Sequence, residues 1–158
     1  IAKLVKGEIK IRFNNDWGVN YGDDGANGSL EAGGANIAIA ADGFYLVTFN
    51  QKELKVKIET FKVYGIVGSA TANGWGGPDT KFRPDFGNEG VWFINNISLT
   101  AGEVKFRLND DWGVNYGDDG ANGSLEAGGA NIAVSAGVYN VKLDFRNPNA
   151  PTYTLIKN

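Results

Sequence analysis

DWGVNYGDDGANGSLEAGGANIA occupies residues 16–38, and the same 23 residues recur unchanged at 111–133. The copies lie 95 positions apart (111 − 16), so the chain is a tandem repeat, a reading that precedes any single motif. Similarity spreads outward from the identical block. GEIKIRFNND (7–16) answers GEVKFRLNDD (102–111), and GFYLVTFN (43–50) answers GVYNVKLD (137–144) after one extra residue in the first copy. Residues 63–101 find no counterpart ahead of Gly7. Residues 63–158 are therefore expected to form a complete repeat, and residues 1–62 the C-terminal part of another.

A unit of that size can bury a modest core, whereas 62 residues fall below the usual self-sufficient size and call for a partner or further sequence. The 23 glycines, with Asn and Asp between runs of Val, Ile, Phe and Tyr, point to an all-β secreted or surface protein. A net charge of −3 and a pI near 4.9 argue against a nucleic-acid partner. There is no cysteine for disulfide or thiolate chemistry, and no histidine to serve as general base or zinc ligand. The sequence contains no Met, no apolar leader segment, no transmembrane run and no lipidation cysteine, and reads as an excerpt of something longer.

Alternation at period 2 marks the strands. Ile9, Ile11 and Phe13 share a face, as do Tyr45, Val47 and Phe49, and Leu54, Val56 and Ile58. Residues 17–37 read as a long Gly/Asn/Asp loop anchored by Leu30 and Ile37. No Gly/Ser or Pro-rich linker separates the copies. In the complete repeat, Val104, Phe106 and Leu108 are expected inward, with Lys105 and Arg107 outward. Trp92 lies in an apolar strand, and Tyr139, Val141, Leu143 and Phe145 alternate in another. Short strands separated by turn residues indicate β-sandwich units in tandem.

Trp75 stands among Gly74, Gly76 and Gly77, with little neighbouring side-chain mass to bury it, and is suited to stacking on the apolar face of a sugar. The bland alternative is an indole folded back as a cap on the core. Lys105 and Arg107, like Lys10 and Arg12, could donate to hydroxyls or form an ordinary solvated face. Trp112 and its twin Trp17 are either second stacking platforms or core residues pinning the loop. Asn115 and Tyr116 open the loop, where they would either meet a ligand or shape a turn. The acidic loop offers Asp118, Asp119 and Asn122 as a weaker, structural-calcium alternative. It departs from the EF-hand pattern because Gly129 stands where the twelfth-position Glu belongs. Carboxylates are plentiful, but no spacing singles out an acid–base pair, so no enzyme is expected.

GIVGSATANGWGGPDTKF (65–82), GVWFINNISLTAGEVKFRLNDDWGVNYG (90–117), GSLEAGGANI (123–132) and GVYNVKLDF (137–145) together resemble the repeated C-terminal domains of SusE/SusF-type surface glycan-binding lipoproteins of the Bacteroidota. The resemblance covers residues 63–158 throughout, and 1–61 as the C-terminal part of such a domain. It implies immunoglobulin-like β-sandwiches that hold starch-type glucans without catalysis, on the extracellular face of the outer membrane beside a TonB-dependent glycan importer. By position, Trp75 matches the Trp of the family's GW loop, Lys105 and Arg107 its KFR strand, and Trp112 the Trp that follows. With Lys81, Asn115 and Tyr116 these make the candidate ligand-binding set, with no cofactor. The family's signal peptide, lipid-bearing cysteine and N-terminal domain are not in this sequence, so anchoring is an implication only. The first copy lacks its GW segment and is expected to bind poorly. The rival expectation is a structural or adhesive repeat whose first unit self-associates or is completed by strands from another segment or chain. An exposed Trp75 favours the glycan, a buried one the structural repeat.

Overall fold

In the computed structural model, which describes residues 1–158, the alternating segments become antiparallel strands. A three-residue 3-10 turn at Gly74–Gly76 is the one helical element. The chain divides into two compact units, Ile1–Lys62 and Val63–Asn158. The first carries β1 (Ala2–Leu4), β2 (Gly7–Ile9), β3 (Ile11–Phe13), β4 (Asp16–Gly22), β5 (Glu31–Ala32), β6 (Ile37–Ile39), β7 (Gly43–Asn50) and β8 (Lys55–Thr60). The second carries β9 (Tyr64–Val67), β10 (Thr80–Lys81), β11 (Arg83–Pro84), β12 (Val91–Leu99), β13 (Gly102–Leu108), β14 (Asp111–Gly117), β15 (Glu126–Ala127), β16 (Ile132–Val134), β17 (Gly137–Asp144) and β18 (Thr152–Lys157).

In the second unit one sheet runs β10-β9-β13-β14-β15, with β16 also on β13, and the other runs β11-β12-β17-β18. Alternation decides what each sheet buries. Val104 and Phe106 from the first sheet and Val141 and Leu143 from the second are at most 1% exposed, and they share a core with Ile66, Phe82, Leu125 and Ile132. Burying a side chain of that size contributes about 1.5–3 kcal/mol. Around the margin, Tyr64 stacks on Phe145 at 4.5 Å and meets Trp92 edge-on at 5.3 Å, so Trp92 is structural. Burial pushes the Tyr64 hydroxyl up to about 12.

The long-loop expectation is corrected for its first six residues. Asp16–Gly22 and Asp111–Gly117 are strands that return along β3 and β13. Two-residue turns join them, with positive φ at both central positions: 50° and 58° at Asn14 and Asn15, 56° and 62° at Asn109 and Asp110. That is the turn whose twist suits a hairpin, and Asn and Asp tolerate it. The true loop follows and closes on its own carboxylate. Asp118 accepts the N–H groups of Gly120, Asn122 and Gly123 and the Tyr153 hydroxyl, and Asp23 repeats the backbone part. Leu30 and Leu125 anchor these loops in the cores; Ile132 is buried but Ile37 is only half-buried.

The first unit comprises the smaller sheets β1-β7-β8, β3-β4-β5 and β2-β6. Ala2–Leu4 pairs with residues 43–45 in the register that residues 97–99 adopt on 137–139. The repeat thus begins upstream of Gly7, earlier than side-chain similarity alone had indicated.

Candidate functional site

Sheet register decides which polar side chains meet. Across β10, β9, β13 and β14, Lys81 pairs with Gly65, Gly65 with Arg107, and Arg107 with Asn115. Directly paired residues share a face, so these form one transverse row on the side opposite core-facing Phe106. Gly65 leaves a gap in that row, and Asp79 fills it: a Cβ on Gly65 would lie 2.4 Å from that of Asp79. Gly77 (φ +73°) is equally confined, because its Cβ would stand 2.8 Å from Arg107 Nη2.

Asp79 is buried and grips Arg107 with both oxygens. Nε donates at 3.1 and 2.9 Å, and Nη2 at 2.7 Å. Hydrogen bonding to Asp79 raises the Arg107 pKa further above its ordinary value, so the guanidinium stays charged. Lys81 Nζ lies 3.9 Å from Asp79 and contacts Asp110, whose Oδ1 also accepts the Asp79 N–H at 2.9 Å. Removing one member of such a buried pair would strand the other's charge.

The outward, solvent-facing Arg107 expected from alternation is corrected. It lies on the outer face but is only 2% exposed, covered by Asp79 and by Trp112, whose ring centre stands 4.5 Å from its guanidinium carbon. Cation–π contact and the ion pair fix the plate on which Trp112 rests. Trp112 is 43% exposed, so it is not a core tryptophan. Trp75, in the 3-10 turn, is half-buried against it, with centroids 6.0 Å apart and planes tilted by 39°.

Asn115 donates through Nδ2 to the Trp112 carbonyl at 2.8 Å, which orients its amide. Its Oδ1 is buried without a partner, the one side-chain atom of the chain in that condition. In the first unit the equivalent Asn20 Oδ1 accepts from Lys10 Nζ at 3.0 Å. The equivalent Lys105 makes no such bond, and its ammonium is left for other partners.

Tyr116 is a second correction. It pairs opposite Phe106 rather than Arg107, and packs between Tyr64 and Phe145 beside the core, so it faces away from Asn115. The side chains of the calcium alternative are engaged within their own loop. Asp118 is engaged by its own loop, Asp119 accepts the Ala130 N–H and Asn122 the Ser124 N–H. No cluster of three or more acidic, His or Cys side chains is placed to hold a metal ion. Sequence reasoning passed over Asp79 and left Asp110 among the carboxylates that no spacing singles out. The available signal was Asp79 two residues before Lys81, the spacing that puts strand residues on one face.

A protein-family model described as SusF/SusE starch-specific CBMs (carbohydrate-binding modules) matches residues 62–154. No curated protein matches the chain.

Proposed function

Because the chain belongs to the SusF/SusE family of starch-specific carbohydrate-binding modules, which bind without catalysis, we propose that the outer face of residues 63–158 is an α-glucan site built on Trp75 and Trp112. The tilt of 39° between the two indoles carries this reading. A bent aromatic platform suits successive glucose rings that turn relative to one another along an α-linked chain, each laying a C–H face on an indole. Around the platform stand groups for the hydroxyls. Asn115 Oδ1 lacks a donor, Lys105 lacks an acceptor, and the Nη1 of Arg107 is not engaged by Asp79. A sugar hydroxyl both donates and accepts, and so matches this mixture.

The two sheets of this unit are read as an immunoglobulin-like sandwich, and the first unit as the C-terminal part of a second one in tandem. The family points to starch binding at the cell surface. On this reading the protein sits on the extracellular face of an outer membrane as part of a lipoprotein beside a glycan importer. Trp112, 43% exposed, with Trp75 half-buried beside it rather than folded into the core, favours the glycan over a purely structural repeat.

Affinity electrophoresis of the chain in gels with and without amylopectin tests the proposal. Retardation by amylopectin is expected for the wild type and not for Trp75→Ala. Equal mobility of the wild type in both gels, and in gels of other polysaccharides, would sink it.

A further inference from the structure

The turn that carries Trp75 is held from its ends rather than from beneath. None of residues 74–76 is buried, and a Cβ on Gly74 or Gly76 would meet nothing within 4 Å. On the N-terminal side its bonds stay within the loop: Gly68 N–H to the Gly74 carbonyl at 3.4 Å, and Gly74 N–H to the Thr71 carbonyl at 3.2 Å. The arm returning from Trp75 meets the sheet at Asp79. The Asp79 carboxylate takes Arg107, but its N–H is donated at 2.9 Å to Oδ1 of Asp110, and Lys81 Nζ contacts the same oxygen. Asp110 thus receives two donors from one short segment. Its own backbone is fixed, as the second central residue of the β13–β14 turn (φ +62°). Beside it, Asn109 exchanges two hydrogen bonds of 2.9 Å with Val63, one residue before β9. Trp112 follows two residues after Asp110.

We propose that Asp110 is a positioning residue for the aromatic platform: by accepting the Asp79 N–H and Lys81, it fixes the arm that carries Trp75 against the turn from which Trp112 departs. Its consequence for binding rests on the glycan reading, whereas the geometry rests on these contacts alone. Gly76, Gly77 and Pro78 separate Trp75 from Asp79, and the two glycines offer little resistance to backbone rotation. The Asp79–Arg107 pair anchors a side chain, about whose Cα–Cβ bond the arm can still pivot. The bond from the Asp79 N–H to Asp110 removes that freedom, because it holds the backbone itself. Such a restraint acts on affinity. A ligand that requires both indoles in place binds more weakly by the fraction of time the pair is arranged. Lys81, expected to meet the ligand, acts on this reading through Asp110 rather than on the sugar. The first unit has Asn15 at the matching turn position, at φ 58°, so an amide fits this turn.

Circular dichroism of the full chain reads the geometry directly. Two indoles 6.0 Å apart and tilted give an exciton couplet in the far ultraviolet, and Trp75→Ala and Trp112→Ala assign it by removing it. Asp110→Gly removes the acceptor and takes the positive φ without strain. It should lose most of the couplet and bind a maltooligosaccharide about tenfold more weakly, the figure for a platform arranged roughly one-tenth of the time. Asp110→Asn, which keeps an acceptor oxygen, should restore both. Should Asp110→Gly fail to fold, Asp110→Ser, whose hydroxyl oxygen is one bond closer to the backbone, carries the same test. A couplet unchanged without the carboxylate overturns the proposal even if affinity falls, because Asp110 then acts on the ligand itself. A couplet that does not return in Asp110→Asn overturns it too, because the acceptor is then not what holds the arm. If the wild type binds no maltooligosaccharide while the couplet is lost and restored as stated, the positioning stands and the glycan reading falls.

Discussion

Asp79 is small and buried, and it sets the geometry of the outer face. Its two oxygens hold Arg107 flat, Arg107 supports Trp112, and Trp112 meets Trp75. Asp79→Ala leaves a cation 2% exposed without the carboxylate that grips it. A loss of about 3–5 kcal/mol in unfolding free energy is expected from urea titration. Asn115 is different, because its Oδ1 makes no hydrogen bond within the fold and, on the proposed reading, is left for a sugar hydroxyl. Asn115→Ala should weaken amylopectin binding roughly fivefold to tenfold, the effect of one hydrogen bond of about 1 kcal/mol. Asn20→Ala, at the same place in the first unit, should leave binding unchanged, and the two variants run side by side check this.

Among the elements, the loop after β14 is held by a charge as well as by Leu125 in the core. Burial works to raise the Asp118 pKa, but the N–H of Gly123, the Tyr153 hydroxyl and the N–H groups of Asn122 and Gly120 outweigh it, leaving the carboxyl below its ordinary value. A carboxyl with a depressed folded-state pKa stabilises the fold fully above the unfolded value, about 3.9. That contribution disappears as pH falls through the folded value. Urea midpoints should therefore show an advantage of wild type over Asp118→Asn that is constant from pH 7 to about 5 and vanishes in stronger acid. The hairpin turns make a related point. Asn14-Asn15 and Asn109-Asp110 have positive φ values that make them tight reversals, so Asn115 reaches the row beside Arg107.

For the whole molecule, two units with an identical 23-residue block are unequal in what they can hold. Trp17 is 62% exposed and rests on Arg12 without a second indole or a buried acid. Calorimetry with a maltooligosaccharide should therefore give one site per chain. Trp112→Ala should abolish that site, and Trp17→Ala should leave it intact.

What the sequence by itself determined is local or periodic: the 95-residue repeat, the strands with their inward Val104, Phe106, Val141 and Leu143, and the aromatic and basic residue types of the outer face. Period 2 tells which residues of one strand share a face, because successive side chains alternate. It says nothing of which strand lies alongside, or of what an intervening loop lays over it. Tertiary pairing alone decided that Gly65 stands between Lys81 and Arg107, that Asp79 reaches across 28 residues to Arg107, and that Tyr116 turns inward while Asn115 turns out. Register is a property of two strands at once, and a burial such as that of Arg107 comes from a partner the local pattern does not contain.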